Sequence, residues 1–252
     1  MAYQTIKEKF VELQNSKETT ESSRPKIQRV AYYRRNISNF EKHYKPKFVS
    51  IGPIHHDKTD LKLGEKYKLM WASKYIEKTE LKPEELHKKI TDKIDELKGR
   101  FSDDVLTSTG KSLEGYGSLD EKLSWILFVD GCCLLHILEE ADLDFPKFMM
   151  NIKVDQMFLL TMDVLLLENQ LPYEVLKLLW KDDDESELIK SMTDFLSRCY
   201  WDTPDESQSE KDNEVEGQYI VSIGNESQSE TPTHLLDLHR KIMLTTSDSK
   251  VQ

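Results

Sequence analysis

Cysteine is scarce in this sequence: three residues in 252, with Cys132 and Cys133 adjacent. Helical neighbours point about 100° apart and rarely bridge, so a disulfide framework is excluded and reduced, intracellular thiols are the expectation. Glycine and proline are few as well, 9 and 8, which argues against an all-β fold with its many turns. No apolar run approaches the roughly 20 residues needed to cross a bilayer. The amino terminus, MAYQTIKEKFVELQNSKE, is too charged for a secretory signal. Without such a signal the acceptor patterns at Asn36-Ile37-Ser38 and Asn225-Glu226-Ser227 carry little meaning. There is no nucleophile motif, no P-loop and no zinc-ligand spacing. No catalytic residue, cofactor or metal site is therefore assigned.

What is present is charge. Hydrophobic residues make up 38% and charged residues 32%, a composition of helices with solvated faces plus disordered segments. The net charge of −11 is unevenly spread. Residues 1–100 hold 23 Lys/Arg against 15 Asp/Glu, a surplus of +8; residues 101–252 hold 12 against 31, or −19. A basic half can meet a phosphate-rich surface, but the whole molecule is repelled by nucleic acid. The simpler account is that the two regions neutralise each other across an intramolecular contact.

The most apolar passage is Phe158 to Trp180, FLLTMDVLLLENQLPYEVLKLLW, and the chain is expected to be organised around it. Leu159, Met162, Leu166 and Leu167 recur at helical spacing, with Val164 and Leu165 widening the face. Pro172 disfavours helix at Leu171, so the first helix should stop near Asn169 or Gln170 and a second should run from Pro172 to about Lys181. Glu168, Asn169 and Gln170 then sit at the corner. A further helix is expected at 119–140, opened by a Ser118/Glu121 capping box and packed on that corner. In it Ile126, Asp130, Cys133 and Ile137 form one stripe, so Asp130 faces inward and must find a partner or protonate. Gly131 in mid-helix implies close approach by another element. Other helices are read at Leu63–Ile76 (Leu63, Tyr67, Met70, Trp71, Tyr75), from Pro83 to Gly99 (Leu86, Ile90, Ile94, Leu97) and at Leu188–Tyr200, with Ser102–Gly117 as loop.

Arg24 to Phe48 interleaves basic and aromatic residues. That pattern can serve single-stranded nucleic acid; more often it is an irregular segment whose aromatics pack while its charges snorkel outward. In VSIGPIHHDK, Gly52-Pro53 signals a turn. His55, His56, Asp57 and Asp60 offer metal-ligating atoms, but adjacent histidines in an extended chain face opposite ways and no second ligand cluster exists. Residues 1–23 read as a weak helix or disordered arm, 24–201 as a helical domain, 202–231 as an acidic disordered linker and 232–252 as a short amphipathic tail. The fold class expected is mainly α: an irregular helical bundle with long loops.

Four stretches, RVAYYRR leading to VSIGPIHHDK, then ILFVDGCCLLHIL, DVLLLENQLPYEVL and THLLDLHRK, together resemble the plant domain of unknown function 247 family over residues 29 to 240. The motif residues are Arg29, Gly52, Pro53, His55, His56, Asp130, Gly131, Glu168, Asn169, Gln170 and Pro172, expected to be mainly structural. Departures are Ala31 where the family usually has proline, Ile54 for an aromatic and Asp57 for glycine. The resemblance implies a mainly helical plant protein with no established activity. It also implies a truncated or diverged member, because full-length members usually continue to a membrane-spanning helix. Some members are associated with self-recognition in grass pollination. The expectation is a non-enzymatic protein-interaction module with an unidentified protein partner, cytoplasmic or peripheral at the inner membrane face. Nucleic acid is not expected as a partner. The alternative is a hydrolase-like or metal-assisted enzyme using the His55-His56 turn with Asp130 and Glu168, which requires these groups to meet within about 3 Å. Arg29, Arg34, Arg35 or backbone amides are the expected partners of Asp130 and Glu168.

Overall fold

A 22-residue helix, Leu119–Glu140, lies at the centre of the molecule. The structure is a computed structural model that describes residues 5–15, 25–35, 43–140, 152–182, 184–199 and 231–249. In chain order its helices are α1 (Ile6–Asn15), α2 (Tyr32–Arg35), α3 (Lys62–Thr79), α4 (Pro83–Thr91), α5 (Ile94–Lys98), α6 (Asp103–Thr109), α7 (Leu119–Glu140), α8 (Val154–Val164), α9 (Tyr173–Leu179), α10 (Glu185–Cys199) and α11 (Leu235–Ser249). Among the described residues there is no strand, only one isolated parallel bridge between Ile27 and Phe101. The fold is mainly α.

Helix α7 is hydrophobic all round, and such a helix is stable only when surrounded. Every residue from Lys122 to Leu138 except Trp125 is buried, with α3, α4, α5, α9 and α10 packed about it. It begins where its cap predicts: Ser118 Oγ accepts the Glu121 N–H at 3.1 Å, and the Glu121 carboxylate accepts the Gly117 N–H at 2.7 Å. Gly131 marks a close crossing. A Cβ there would lie 2.5 Å from Leu179 Cδ1 and 3.0 Å from Val175 Cγ1, so α9 is seated directly on the glycine. From α3, Tyr75 donates its hydroxyl to the Leu179 carbonyl at 3.0 Å, tying α9 to a second helix. The C-terminal helix docks as well. Leu235 and Leu238 are buried, worth about 1.5–3 kcal/mol each, and the Tyr173 N–H donates to the Thr233 carbonyl at 2.9 Å.

Several expectations are corrected. The hub is α7 and not the Phe158–Trp180 stretch, because among the described helices α7 is buried from Lys122 to Leu138 on all sides but Trp125 and five other helices pack on it. Helix α8 ends at Val164, about five residues before Asn169. Its buried face is Met157, Leu160, Thr161, Asp163 and Val164, whereas Met162 and Leu167 are 52% and 45% exposed. The inward turn of Asp163 sets that phase. In α3 the buried face likewise passes through Lys68 and leaves Leu63 exposed. The helix read from Pro83 to Gly99 breaks into α4 and α5 at Asp92-Lys93, where the Lys93 N–H turns to the Ile90 carbonyl at 3.1 Å. The Ser102–Gly117 loop contains α6, whose first turn carries Asp103 and Asp104 against the helix dipole and which buries Val105 and Thr109. The linker expected at 202–231 lies outside the described residues but for Thr231.

Candidate functional site

Residues 47–52 and Val30 run in irregular conformation past the corner between α8 and α9. Their backbone N–H groups need acceptors that no helix or sheet supplies. Side chains of α7, α8 and the corner meet that need. Asp163 Oδ2 accepts the N–H groups of Phe48 at 2.6 Å and Val49 at 2.9 Å, and both its oxygens lie within 3.0 Å of the Lys47 N–H. Asn169 Oδ1 accepts the Ile51 N–H at 2.7 Å, while its Nδ2 donates to the carbonyls of Val49 and Asp163 at 3.1 and 2.9 Å. Asp130 Oδ2 accepts the Gly52 N–H at 2.8 Å, and Glu168 Oε1 the Val30 N–H at 2.7 Å.

The corner closes itself by the same means. Gln170 Nε2 donates to the carbonyls of Val164 and Leu166 at 2.8 and 2.9 Å, and its Oε1 accepts the Leu236 N–H at 3.1 Å. Asn169 and Gln170 thus satisfy carbonyls that the end of α8 leaves orphaned, which is why that helix can stop early. Pro172, the N-cap of α9, turns the chain into the next helix. Gly52 sits at φ +78°, and a Cβ there would be 2.5 Å from the Gln170 carbonyl oxygen. Only glycine fits that approach.

Asp130 and Lys68 form a fully buried ion pair at 2.5 Å, with Lys68 also 3.0 Å from Glu65 and 3.2 Å from Ser50 Oγ. Burial by itself lowers Lys68, but the charges of Asp130 and Glu65 outweigh it and hold the amine above its ordinary range. Burial pushes the Asp130 carboxyl upward against the pull of Lys68 and the Gly52 amide. Asp163 is likewise pushed up by burial and opposed by its three amides. A proton on Oδ2 would point at N–H donors, so the geometry fits a carboxylate. At the turn, His55 Nε2 is 3.3 Å from Glu168 Oε2, both side chains being 3% exposed. That contact lacks good hydrogen-bond geometry. Burial lowers His55, against the pull of Glu168. Burial works to raise Glu168, but His55, the Val30 amide and Arg35, 3.8 Å away, hold it below its usual value.

The candidate residues are therefore brought together only in part. His55 meets Glu168. His56 falls instead in the field of Lys68, Glu65, Asp57 and Lys122, and burial lowers it. Asp130 is paired not with an arginine of the basic segment but with Lys68. Arg29 Nη2 donates to Ser108 Oγ at 3.0 Å, and Arg35 Nε to the Val30 carbonyl at 2.8 Å. Ser50 and Lys68 have the spacing of a nucleophile and base, but Ser50 is buried and a protonated lysine cannot take its proton. Among the described residues no group of three His, Cys, Asp or Glu side chains is placed to hold a metal ion. Two surface clefts, of about 930 and 250 Å³, are lined by other residues than His55, His56, Asp130 and Glu168.

Sequence reasoning missed Asp163, Lys68 and the buried Lys122, whose Nζ is 2.7 Å from Asp57 Oδ2 and from the Ser112 carbonyl. The signal that singled out Asp130, a charge inside an apolar helical pattern, also marks Asp163 in LLTMDVLLL. Asp57, a departure from the family pattern, is the ion partner of Lys122.

A helical core clamped to an irregular amino-terminal segment by buried carboxylates and amides is thus what the chain builds. The plant protein family of unknown function DUF247 matches it over residues 27–252, and the chain belongs to that family. It is similar to the UPF0481 protein At3g47200 of Arabidopsis thaliana, with 26% identity over 152 residues, covering 55% of this chain and 28% of that relative. The chain thus spans well under a third of that relative's length. No solved structure matches it. No helix among the described residues is long and apolar enough to cross a membrane.

Proposed function

We propose that the chain is a non-enzymatic protein-interaction module. One observation carries this reading: four polar side chains of the site point inward and are engaged by backbone or by buried partners. Asp130, Asp163, Asn169 and Gln170 are all 3% exposed or less and each makes at least two polar contacts inside the fold. Such groups hold a segment in place and are not free to exchange protons with a substrate. The module's outward-facing residues, among them Tyr32 and Tyr33 at 77% and 72% exposure, are then available for contact with a partner.

The test is reconstitution. Candidates captured from plant tissue are expressed, purified and mixed with the purified chain, and at least one should form a stoichiometric complex by size-exclusion chromatography and calorimetry. If none reconstitutes, the reading fails. The enzyme alternative rests on the His55–Glu168 contact. It would be supported by turnover of an ester, peptide or phosphate substrate that disappears in both Glu168→Gln and His55→Asn while the fold is retained.

A further inference from the structure

The two clefts adjoin at Leu167 and His234, where the extended residues 25–31 pass the start of α11. The larger, about 930 Å³, is lined by Arg100, Glu174, Asp237, Arg240 and Lys241 among others. The smaller, about 250 Å³, is lined by Lys26, Arg29 and Arg34. Together the linings hold six Lys/Arg and two carboxylates, so the trough has a net charge of +4 in a chain of −11. Both carboxylates are already matched. Glu174 pairs with Arg100, and Asp237 lies 3.4 and 3.5 Å from Arg240 and Lys241.

The backbone supplies a second observation. Ile27 donates its N–H to the Arg100 carbonyl at 2.8 Å and accepts the Ser102 N–H at 3.0 Å. Successive residues of an extended chain direct these groups to opposite edges, so Lys26 and Gln28 present theirs away from 100–102. Lys26 and Gln28 are exposed and line the smaller cleft, while the Val30 N–H beyond them is already taken by Glu168, so the open stretch is residues 26–28. An extended edge of this kind is a template for an added strand.

We infer that this trough binds an extended acidic peptide of a partner protein, its backbone added along the 26–28 edge and its carboxylates facing Lys26, Arg34 and Arg240. The inference rests on the interaction-module reading and names its surface and the chemistry of its partner. A nucleic acid or an anionic lipid would answer the charge but has no amide backbone to pair with the edge, and only a peptide uses both features.

Fluorescence anisotropy on the full chain tests it, with a labelled peptide of alternating glutamate and valine. Controls are its glutamine counterpart and a copy N-methylated on alternate amides. At about 0.1 M salt the acidic peptide should bind roughly tenfold or more tighter than either control, and the advantage over glutamine should shrink at about 0.5 M. The double variant Lys26→Glu/Arg240→Glu, changing two exposed side chains, should weaken the acidic peptide by roughly tenfold or more while its thermal melt is retained. Equal binding of the acidic and glutamine peptides, no saturable binding, or an unchanged affinity in the folded double variant overturns the inference. Displacement of the peptide at lower concentration by phosphatidylserine vesicles or a single-stranded oligonucleotide reassigns the trough to lipid or nucleic acid and also overturns it. A reconstituted partner whose affinity the double variant leaves intact removes the trough and leaves the module standing. Failure of every partner to reconstitute removes the module itself.

Discussion

Replacing Asp163 by alanine removes the acceptor for three backbone N–H groups, those of Lys47, Phe48 and Val49. Lys47 is exposed, so water replaces the lost bond there; Phe48 and Val49 are buried at 5% and 0% and have no such recourse. An unsatisfied buried donor costs about 1–3 kcal/mol, which puts the loss at about 2–6 kcal/mol and near 4 in the middle of the range. For a chain of this size each kcal/mol lowers Tm by about 2–4 °C, so Asp163→Ala should melt about 8–16 °C early. Asparagine keeps one oxygen but turns an N–H₂ toward the same donors, and its loss should be intermediate. Calorimetry gives the first number, and native-state hydrogen exchange gives the location. The amides of Phe48 and Val49 should exchange faster relative to those of Leu127 and Leu135 inside α7. A Tm within about 2 °C of wild type, or unchanged exchange at those two amides, would refute the reasoning.

Lys68→Met leaves Asp130 buried with only the Gly52 amide for a partner and should cost about 3–5 kcal/mol; adding Asp130→Asn should recover a large part of that loss in urea denaturation, and strictly additive losses would deny the pair. His136 is 2% exposed, neither ring nitrogen has a hydrogen-bond partner, and burial lowers it to about 4. The unfolded chain therefore binds the extra proton first, and stability should fall by about 3 kcal/mol as pH drops from the ordinary histidine value through about 4. His136→Phe should flatten that slope, and an equally steep slope in the variant would reject the assignment. Gly131→Ala gains about 1 kcal/mol in helix propensity but drives a methyl into Leu179 and Val175, at about 1–3 kcal/mol. A net loss of up to about 2 kcal/mol, near 1 in the middle of the range, is expected in thermal melts and partly relieved by Leu179→Val, and a stabilised Gly131→Ala would mean that Leu179 moves aside at no cost.

What the amino-acid order determined alone is local. The apolar run from Leu123 to Leu138, the Ser118 cap, the Pro172 break and the Leu235–Leu238 pattern place α7, the corner and α11, because cap chemistry and helical period act over a few residues. The same period turned Asp130 inward and made Gly131 a contact point. The chemistry of the site was legible as residue types: carboxylates, amides and histidines inside apolar surroundings.

Tertiary structure decided the rest. Lys68 meets Asp130 across 62 positions and Asp163 meets Val49 across 114, separations at which periodicity carries no information. The early end of α8 depends on Asn169 and Gln170 folding back to its carbonyls, and its rotation depends on Asp163 reaching a segment more than a hundred residues away. His55 and His56 look equivalent in sequence, yet only His55 lies against Glu168. The physical reason is common to all of these. Apolar side chains are interchangeable partners, so their pattern alone says which face is buried, whereas a buried polar group needs one particular donor or acceptor within about 3 Å, and only the folded chain supplies it.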